Sequence, residues 1–303
     1  MYDGIINVYK EKGYTSHDVV AKMRGILGQK KVGHTGTLDP EAEGVLLVCA
    51  GKGTRLCDML TDTDKTYRAV LLLGVETDTE DMTGTVLRTA DVSGLTEEEV
   101  KKAVLSFVGE YEQVPPMYSA LKVNGKRLYE LAREGKTIER KSRRIQIHGI
   151  EIESVKLPEV VFSVSCSKGT YIRSLCRDIG EKLFVGGCMK ALTRTKTGGF
   201  SIDESRTLSE LQKLKEEDQL SAAVFPVETV FAKLPAFHSG DGNLDRLLQN
   251  GNPFRKEHCP AGKEPPETSL FRVYDSAGAF IGVYEYSEDK KLYSPRKIFL
   301  GGN

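Results

Sequence analysis

Residues 33–50 read GHTGTLDPEAEGVLLVCA, and the way this stretch divides decides the fold. Two glycines, two threonines and the Asp39-Pro40 step cannot continue a regular helix or a central strand, so residues 33–40 are expected to form a tightly turned loop. Residues 45–50 then make an uninterrupted apolar run bounded by Gly44 and Gly51, the pattern of a strand buried on both faces. A carboxylate on a loop that feeds a rigid strand is well placed for chemistry. On spacing alone the plainer reading of Asp39 is a turn cap before Pro40.

Outward from this stretch, residues 5–9 read as a short strand. Ser16 stands where the N-cap of a helix through Leu27 would be, since Val19, Val20, Met23 and Leu27 recur at helical spacing. Residues 66–74 and the shorter 84–88 are strand candidates. Thr96 and Glu99 make a capping box ahead of Val100, Ala103, Val104 and Phe107. Residues 128–133 and 175–184 read as helices, and residues 145–155 and 160–166 as strands paired about the Leu157-Pro158 turn. This irregular alternation favours an α+β fold with a mixed, largely antiparallel sheet and flanking helices. Near Leu234-Pro235 the texture changes. A short helix at 244–248 leads into a Gly/Pro-rich stretch (251–266) and three strand candidates at 269–274, 279–286 and 296–300. The expected division is residues 1–234 and a small β-rich domain at 235–303.

With 303 residues, 39% hydrophobic and 28% charged, the chain can bury one large core and a small one. The opening MYDGIINVYK lacks the basic and apolar regions of a secretory signal, and residues 45–50 are too short to span a bilayer. The six cysteines form no C-x-x-C pair, so free thiols in a reducing cytoplasm are expected and a zinc site is not. A net charge of zero argues against a polyanionic partner, yet residues 122–144 carry nine basic residues against three acids. That window is either a solvated face or a phosphate-contacting surface.

Two further clusters carry chemistry. In SKGTYIR (167–173) Gly169 permits a bend and Arg173 offers the planar fork suited to holding a carboxylate, although a surface strand end would look the same. In QVPPMYSALKVNGKR (113–127) an extended Pro-Pro segment leads to interleaved Tyr118, Lys122, Lys126, Arg127 and Tyr129, a combination suited to stacking bases and neutralising phosphates.

Taken in this order, these segments resemble the TruB family of pseudouridine synthases. The matching stretches are KKVGHTGTLDPEAEGVLLVCAGKGTRL (30–56), DKTYRAVLLLG (64–74), VPPMYSALKVNGKRLYELAR (114–133) and SKGTYIRSLCRDIG (167–180), with MKALTRTKTGGF (189–200) and NVYKEKGYTSHDVV (7–20) in support. The resemblance covers residues 5–230, and a G-H-T-G-x-L-D-P loop is far more discriminating than a lone Gly-rich run. It implies that Asp39 is the catalytic aspartate, acting on the ribose–uracil bond of a flipped uridine. Tyr67 would pack against the target base, Arg173 pair with the aspartate, and His34 help hold the everted T-loop conformation. Lys10 would be a basic residue near the active site, and Leu192 an apolar wall of its pocket. The implied substrate is uridine 55 in the T loop of tRNA, with no metal or organic cofactor. The implied fold is a mixed sheet with flanking helices and a C-terminal PUA-like domain.

In that light Lys122, Lys126, Arg127, Arg140, Lys141, Arg143 and Arg144 read as contacts to the RNA backbone. The expectation is a cytoplasmic monomer that binds the T arm of tRNA and needs no membrane, guide RNA or protein partner. The chain departs from the usual pattern at Glu11, where proline is common, and at Leu47 and Gly53. A guide-RNA-dependent relative shares the G-H-x-G-T-L-D-P loop. The T-G form of the loop here and the small tail favour the stand-alone enzyme, and the Asp39, Tyr67 and Arg173 set argues against a purely RNA-folding role.

Overall fold

The computed structural model describes residues 1–300 apart from 124, 241, 261, 263 and 267–269, and of Lys122 the backbone alone. The chain opens with β1 (Gly4–Lys10), α1 (Ser16–Leu27), β2 (Val32–Thr35), β3 (Glu43–Ala50), α2 (Cys57–Thr61) and β4 (Lys65–Leu73). A hairpin of β5 (Val75–Thr77) and β6 (Val86–Thr89) comes next, then α3 (Glu97–Leu105) and β7 (Gly109–Gln113). The short pair β8 (Lys122–Val123) and β9 (Lys126–Arg127) precedes α4 (Leu128–Arg133), β10 (Arg143–Lys156), β11 (Glu159–Cys166) and α5 (Ile172–Lys182). β12 (Gly187–Thr197), β13 (Phe200–Ser201) and α6 (Leu208–Glu216) complete the larger part. The remainder holds β14 (Ala236–His238), α7 (Gly242–Gln249), β15 (Phe271–Tyr274), β16 (Phe280–Ser287) and β17 (Leu292–Ile298).

The main sheet runs β1-β3-β12-β4-β11-β10-β7, with β2 on β3 and β13 on β12. Every pairing in it is antiparallel except β3 with β12, so the fold is the mixed α+β sheet expected. One edge of β3 pairs with β1. Along the other, β12 takes Glu43 and Gly44 while β2 takes Leu47 to Ala50. The 36–42 segment leaves the sheet where those two partners part.

The apolar run in β3 is explained by what covers each side. Leu46, Val48 and Ala50 face α1 and α6, meeting Val19, Met23 and Leu211. Val45, Leu47 and Cys49 face Leu56, Leu60, Phe200 and Phe231, together with Val283 and Phe299 of the C-terminal part. Each such side chain buried contributes about 1.5–3 kcal/mol, so a charge at Leu47, which has no exposed surface, would break both parts at once. β4 and β11 instead alternate, turning Tyr67, Ala69, Leu71, Phe162 and Val164 onto α3 and α5. The four C-terminal strands form their own sheet, β14-β15-β16-β17, around Phe237, Leu248, Phe254 and Tyr284.

Several local readings shift. The α1 cap is Thr15, whose hydroxyl accepts from Asp18 N at 3.1 Å while Asp18 Oδ2 accepts from Thr15 N at 2.9 Å. Ser16 is thereby released for another contact, described below. The Thr96–Glu99 box and helix α4 stand where the sequence puts them. α5 begins at Ile172 instead of 175, and β17 spans Leu292–Ile298 instead of 296–300. Of the expected strand at 269–274, Ser269 lies outside the described residues and β15 begins at Phe271; Ala261 and Lys263 of the Gly/Pro-rich stretch also lie outside them. β12 is not foreseen at all. Register shifts near Lys190 and Thr195 break its alternation, and Arg194 faces inward, so its sequence reads as polar. The six cysteines are free thiols, four of them buried.

Candidate active site

The loop carrying Asp39 is held from three sides. Ser16 Oγ accepts from Leu38 N at 3.0 Å, fixing the residue before Asp39. Lys10, fully buried at the end of β1, donates from Nζ to the carbonyls of Tyr14 (2.6 Å), Pro40 (3.0 Å) and Glu11 (3.2 Å). Burial pushes its ammonium down to about 8, with the Asp39 charge acting the other way. Gly36 turns the loop at φ +67°, a left-handed conformation that favours glycine. The turn at Pro40 closes through the main chain, Ala42 N to Asp39 O at 3.1 Å. The Asp39 side chain is therefore free of the capping duty that spacing alone suggests.

It meets Arg173 instead. Arg173 Nε lies 3.0 Å from Asp39 Oδ2, and Nη2 donates to Oδ1 at 3.4 Å. The guanidinium side of the pair is 7% exposed and the carboxylate side 39%, so the cation is buried and the carboxylate is partly open to solvent. Two carbonyls complete the arginine's shell: Nη1 donates to Thr79 O at 3.1 Å and Nη2 to Tyr118 O at 2.8 Å, with Asp81 Oδ2 3.8 Å from Nη1. A planar fork with this many fixed acceptors has little rotational freedom.

The start of α5 is itself pinned. Gln113 accepts from Tyr171 N at 2.8 Å and donates to Tyr171 O at 2.9 Å. One turn beyond Arg173, Arg177 bonds Glu80 and Asp178, and Ser174 Oγ donates to Glu80 Oε2 at 2.7 Å. The tip of the β5–β6 hairpin is thus tied to the helix that presents Arg173. Burial, then Glu181 and Glu80, pushes Asp178 up to about 8.

Tyr67 and Leu192 come from neighbouring strands, with Tyr67 opposite Arg194 and Ala69 opposite Leu192. Both belong to the buried cluster that includes Leu38, the residue beside Asp39. Burial pushes the Tyr67 phenol above its usual range, with the Arg194 charge acting against it. His34 lies on β2, its ring edge-on to His17 at 5.3 Å and its Nδ1 buried with no partner. Burial, then His17 and Arg194, lowers its pKa.

The basic window divides. Arg140 donates to Pro115 O at 3.0 Å beside the Pro-Pro segment. Lys126 lies 3.7 Å from Glu134, and Arg127 donates to Tyr129 Oη at 2.9 Å. Arg144 stands 3.5 Å from Glu112. Lys141, just before β10, and Arg143, its first residue, are exposed. The Lys122 side chain lies outside the described residues.

The family resemblance names Asp39, Arg173, Tyr67 and Leu192 as one site, while nothing in the sequence assigns their supports to it: Ser16, Gln113, Asp81, Arg177 and Arg194. Ser16 was masked by its plausible role as a cap. Asp81 belongs to the ETDTED run at 76–81, whose residue types alone give only negative charge. Chemically, the arrangement offers a half-exposed carboxylate, backed by a buried guanidinium, next in the chain to Leu38 of the apolar cluster that holds Tyr67 and Leu192. That combination can present a nucleophile or base to the edge of a flat ring.

Comparison with known proteins meets this geometry. The family model described as "TruB family pseudouridylate synthase (N terminal domain)" matches residues 24–172. The "tRNA pseudouridylate synthase B C-terminal domain" matches 173–232. The tRNA pseudouridine synthase B of Lachnoclostridium phytofermentans is 52% identical over 98% of this chain and 100% of its own length. That of Staphylococcus haemolyticus is 42% identical over 99% and 100%. Among solved structures, a Cbf5-Nop10-Gar1 complex aligns with TM-score 0.73 at 27% identity, covering 99% of this chain and 85% of that one. An H/ACA RNP bound to a substrate RNA containing 2'-deoxyuridine aligns with TM-score 0.72 at 25% identity, covering 98% and 85%.

Proposed function

This chain belongs to the TruB family of pseudouridylate synthases, and from that premise we propose that Asp39 is the carboxylate that acts on the ribose–uracil bond of an everted uridine. The chain is a tRNA pseudouridine synthase, an isomerase. The target is uridine 55 of the T loop. Isomerisation breaks the N1–C1′ bond and makes a C5–C1′ bond, which requires reaching C1′ and both edges of the base. Inside a stacked loop neither is accessible, so the nucleotide must swing out into a pocket. The observation that carries this reading is the Asp39–Arg173 pair: a partly exposed carboxylate held by a buried cation. Tyr67 and Leu192 hold the uracil faces, and His34 helps keep the everted loop.

Lys10 serves the site through the Pro40 carbonyl, holding the loop and not the substrate. Lys126, Arg127, Arg140, Lys141, Arg143 and Arg144, with Lys122, face the RNA backbone. Residues 1–234 form the catalytic part and 235–303 a PUA-like RNA-binding part. The enzyme works alone in the cytoplasm as a monomer, without guide RNA or protein partner. Support for independence comes from relatives named as tRNA pseudouridine synthase B that match this chain end to end. No described helix is long and apolar enough to cross a membrane.

The test is Asp39→Asn on bare tRNA transcript with no other macromolecule present. Pseudouridine formation should vanish while tRNA binding stays within about threefold, because the change is nearly isosteric and removes only the charge. Turnover near the wild-type rate in the variant would refute the role of Asp39. A wild-type protein inactive on the bare transcript would refute independence from a guide.

A further inference from the structure

Three cations lie buried beneath the loop that carries Asp39. Lys10 is 0% exposed, Arg194 1% and Lys65 7%. Lys65 donates to the carbonyls of Thr61 and Thr63, and Lys10 to the three named above. Arg194 Nε donates to Val45 O at 2.7 Å and Nη2 to Gly36 O at 3.1 Å. Among the described residues none of the three sits in an ion pair, an expensive arrangement away from water. Burial, then the Arg194 charge, pushes Lys65 down to about 8. Groups with such disfavoured charges gather at functional sites.

Arg194 stands apart because it touches both ends of the loop. Gly36 opens the 36–45 segment, and a Cβ there would stand 3.5 Å from Arg194 Nη1. Gly44, at φ +102°, closes it so near that a Cβ would overlap Arg194 O at 2.3 Å. One side chain therefore bonds the carbonyl that enters the segment and the carbonyl that leaves it, while residue 194 pairs across the sheet with Tyr67. Asp39 lies between the two bonded carbonyls. Arg194 reaches the two carbonyls from separate nitrogens of one rigid plane, Nε and Nη2, whereas a lysine at this position would have to serve both from the single nitrogen at the end of its stem.

We infer that Arg194 is a positioning residue for the isomerisation, a claim that rests on Asp39 being the catalytic carboxylate. Its guanidinium ties Gly36 to Val45 and so holds the Asp39 loop in a fixed relation to Tyr67. It touches neither substrate nor the reacting atoms. It acts by setting where Asp39 stands when the base arrives, which is the kind of placement whose loss costs rate more than binding.

The experiment compares wild type, Arg194→Met, Arg194→Lys and Asp39→Asn. Single-turnover pseudouridine formation on bare tRNA transcript is measured under saturating enzyme, with tRNA Kd and urea unfolding alongside. Arg194→Met should slow chemistry by about 100-fold or more, with Kd within about threefold and a cooperative unfolding transition. Arg194→Lys should recover about tenfold of that loss by keeping one carbonyl bond, and remain about tenfold below wild type. A folded Arg194→Met with a rate within about threefold of wild type overturns the inference. So does a rate loss matched by an equal loss of tRNA affinity, which would make Arg194 part of the binding surface. If Arg194→Met does not fold, Arg194→Lys decides, and a wild-type rate there overturns the inference. Asp39→Asn separates the two levels: activity in it removes the underlying reading of the site, whereas an inactive Asp39→Asn beside an unimpaired Arg194→Met removes the positioning role alone.

Discussion

Replacing Arg173 by lysine keeps the charge and removes the fork, and the structure says how the loss divides. Arg173 bonds both oxygens of Asp39 and the carbonyls of Thr79 and Tyr118. Arg173 meets these acceptors from three separate nitrogens spread around a plane, and a single ammonium cannot stand at all three positions, so at least two bonds go. Hydrogen bonds involving a charged group contribute about 1.5–3 kcal/mol each. The bond lost to a carbonyl belongs to the 7% exposed guanidinium and appears in stability, as about 1.5–3 kcal/mol less unfolding free energy. The bond lost to Asp39 loosens the carboxylate and appears in rate. Because the carboxylate is 39% exposed, water replaces part of that loss, which favours the lower end, a slowing of about tenfold. Single-turnover kinetics with tRNA saturating isolates the rate, and urea unfolding of the same preparations isolates the stability. A variant that loses stability yet keeps its rate within about threefold would show that Arg173 is a strut for the Tyr118 and Thr79 segments and does not hold Asp39 for chemistry.

Two other outcomes follow from the same geometry. Neutralising Lys141 and Arg143 should weaken tRNA binding and flatten its log–log salt dependence by about 0.7–0.9 per lost contact. Lys136→Ala, whose ammonium already pairs with Glu134 at 2.7 Å, should leave the slope alone; equal slopes for both variants would make the window a solvated face. Lys10 gives a pH signature. Folding lowers its pKa from 10.5 to about 8, so the charged form is penalised in the folded protein, fully so below pH 8. As pH rises the unfolded chain also loses its proton, and above 10.5 the penalty is gone. The stability of wild type relative to Lys10→Met should therefore rise with pH across that window, by up to about 3 kcal/mol. A flat difference in unfolding free energy would place the ammonium in contact with water.

How much of this was legible beforehand varies with the range of the interaction. The run at 45–50, the Thr96–Glu99 box, helix α4 and the hairpin about Pro158 all rest on neighbours in sequence, and each stands close to where it was read. The cap of α1 slipped by one residue because Thr15 and Ser16 are chemically alike and only the fold assigns Ser16 to Leu38. β12 escaped because its register shifts erase alternation and because a buried arginine looks, in sequence, like a solvated one. Asp39 and Arg173 stand 134 residues apart, and nothing local signals their pairing. It entered through family resemblance. The carbonyl shells of Lys10 and Arg194 had no signal at all, since main-chain acceptors carry no residue identity.

The place of β12 in the sheet sets the order in which the sheet can close. β3 and β4 follow one another in the chain yet never pair. β12 lies between them, and its first residue, Gly187, comes long after Leu73, the last of β4. While the chain is being made, β1, β2 and β3 can associate, and β4, β11, β10 and β7 can associate, but the two halves have no shared strand. The side of β4 that awaits β12 is a bare edge along its whole length, the kind of surface that recruits foreign strands. Asp39 belongs to the first half, and Tyr67 and Arg173 to the second. A nascent chain therefore carries Asp39 and Tyr67 on separate halves of the sheet until the strand bearing Leu192 and Arg194 fills the gap between β3 and β4.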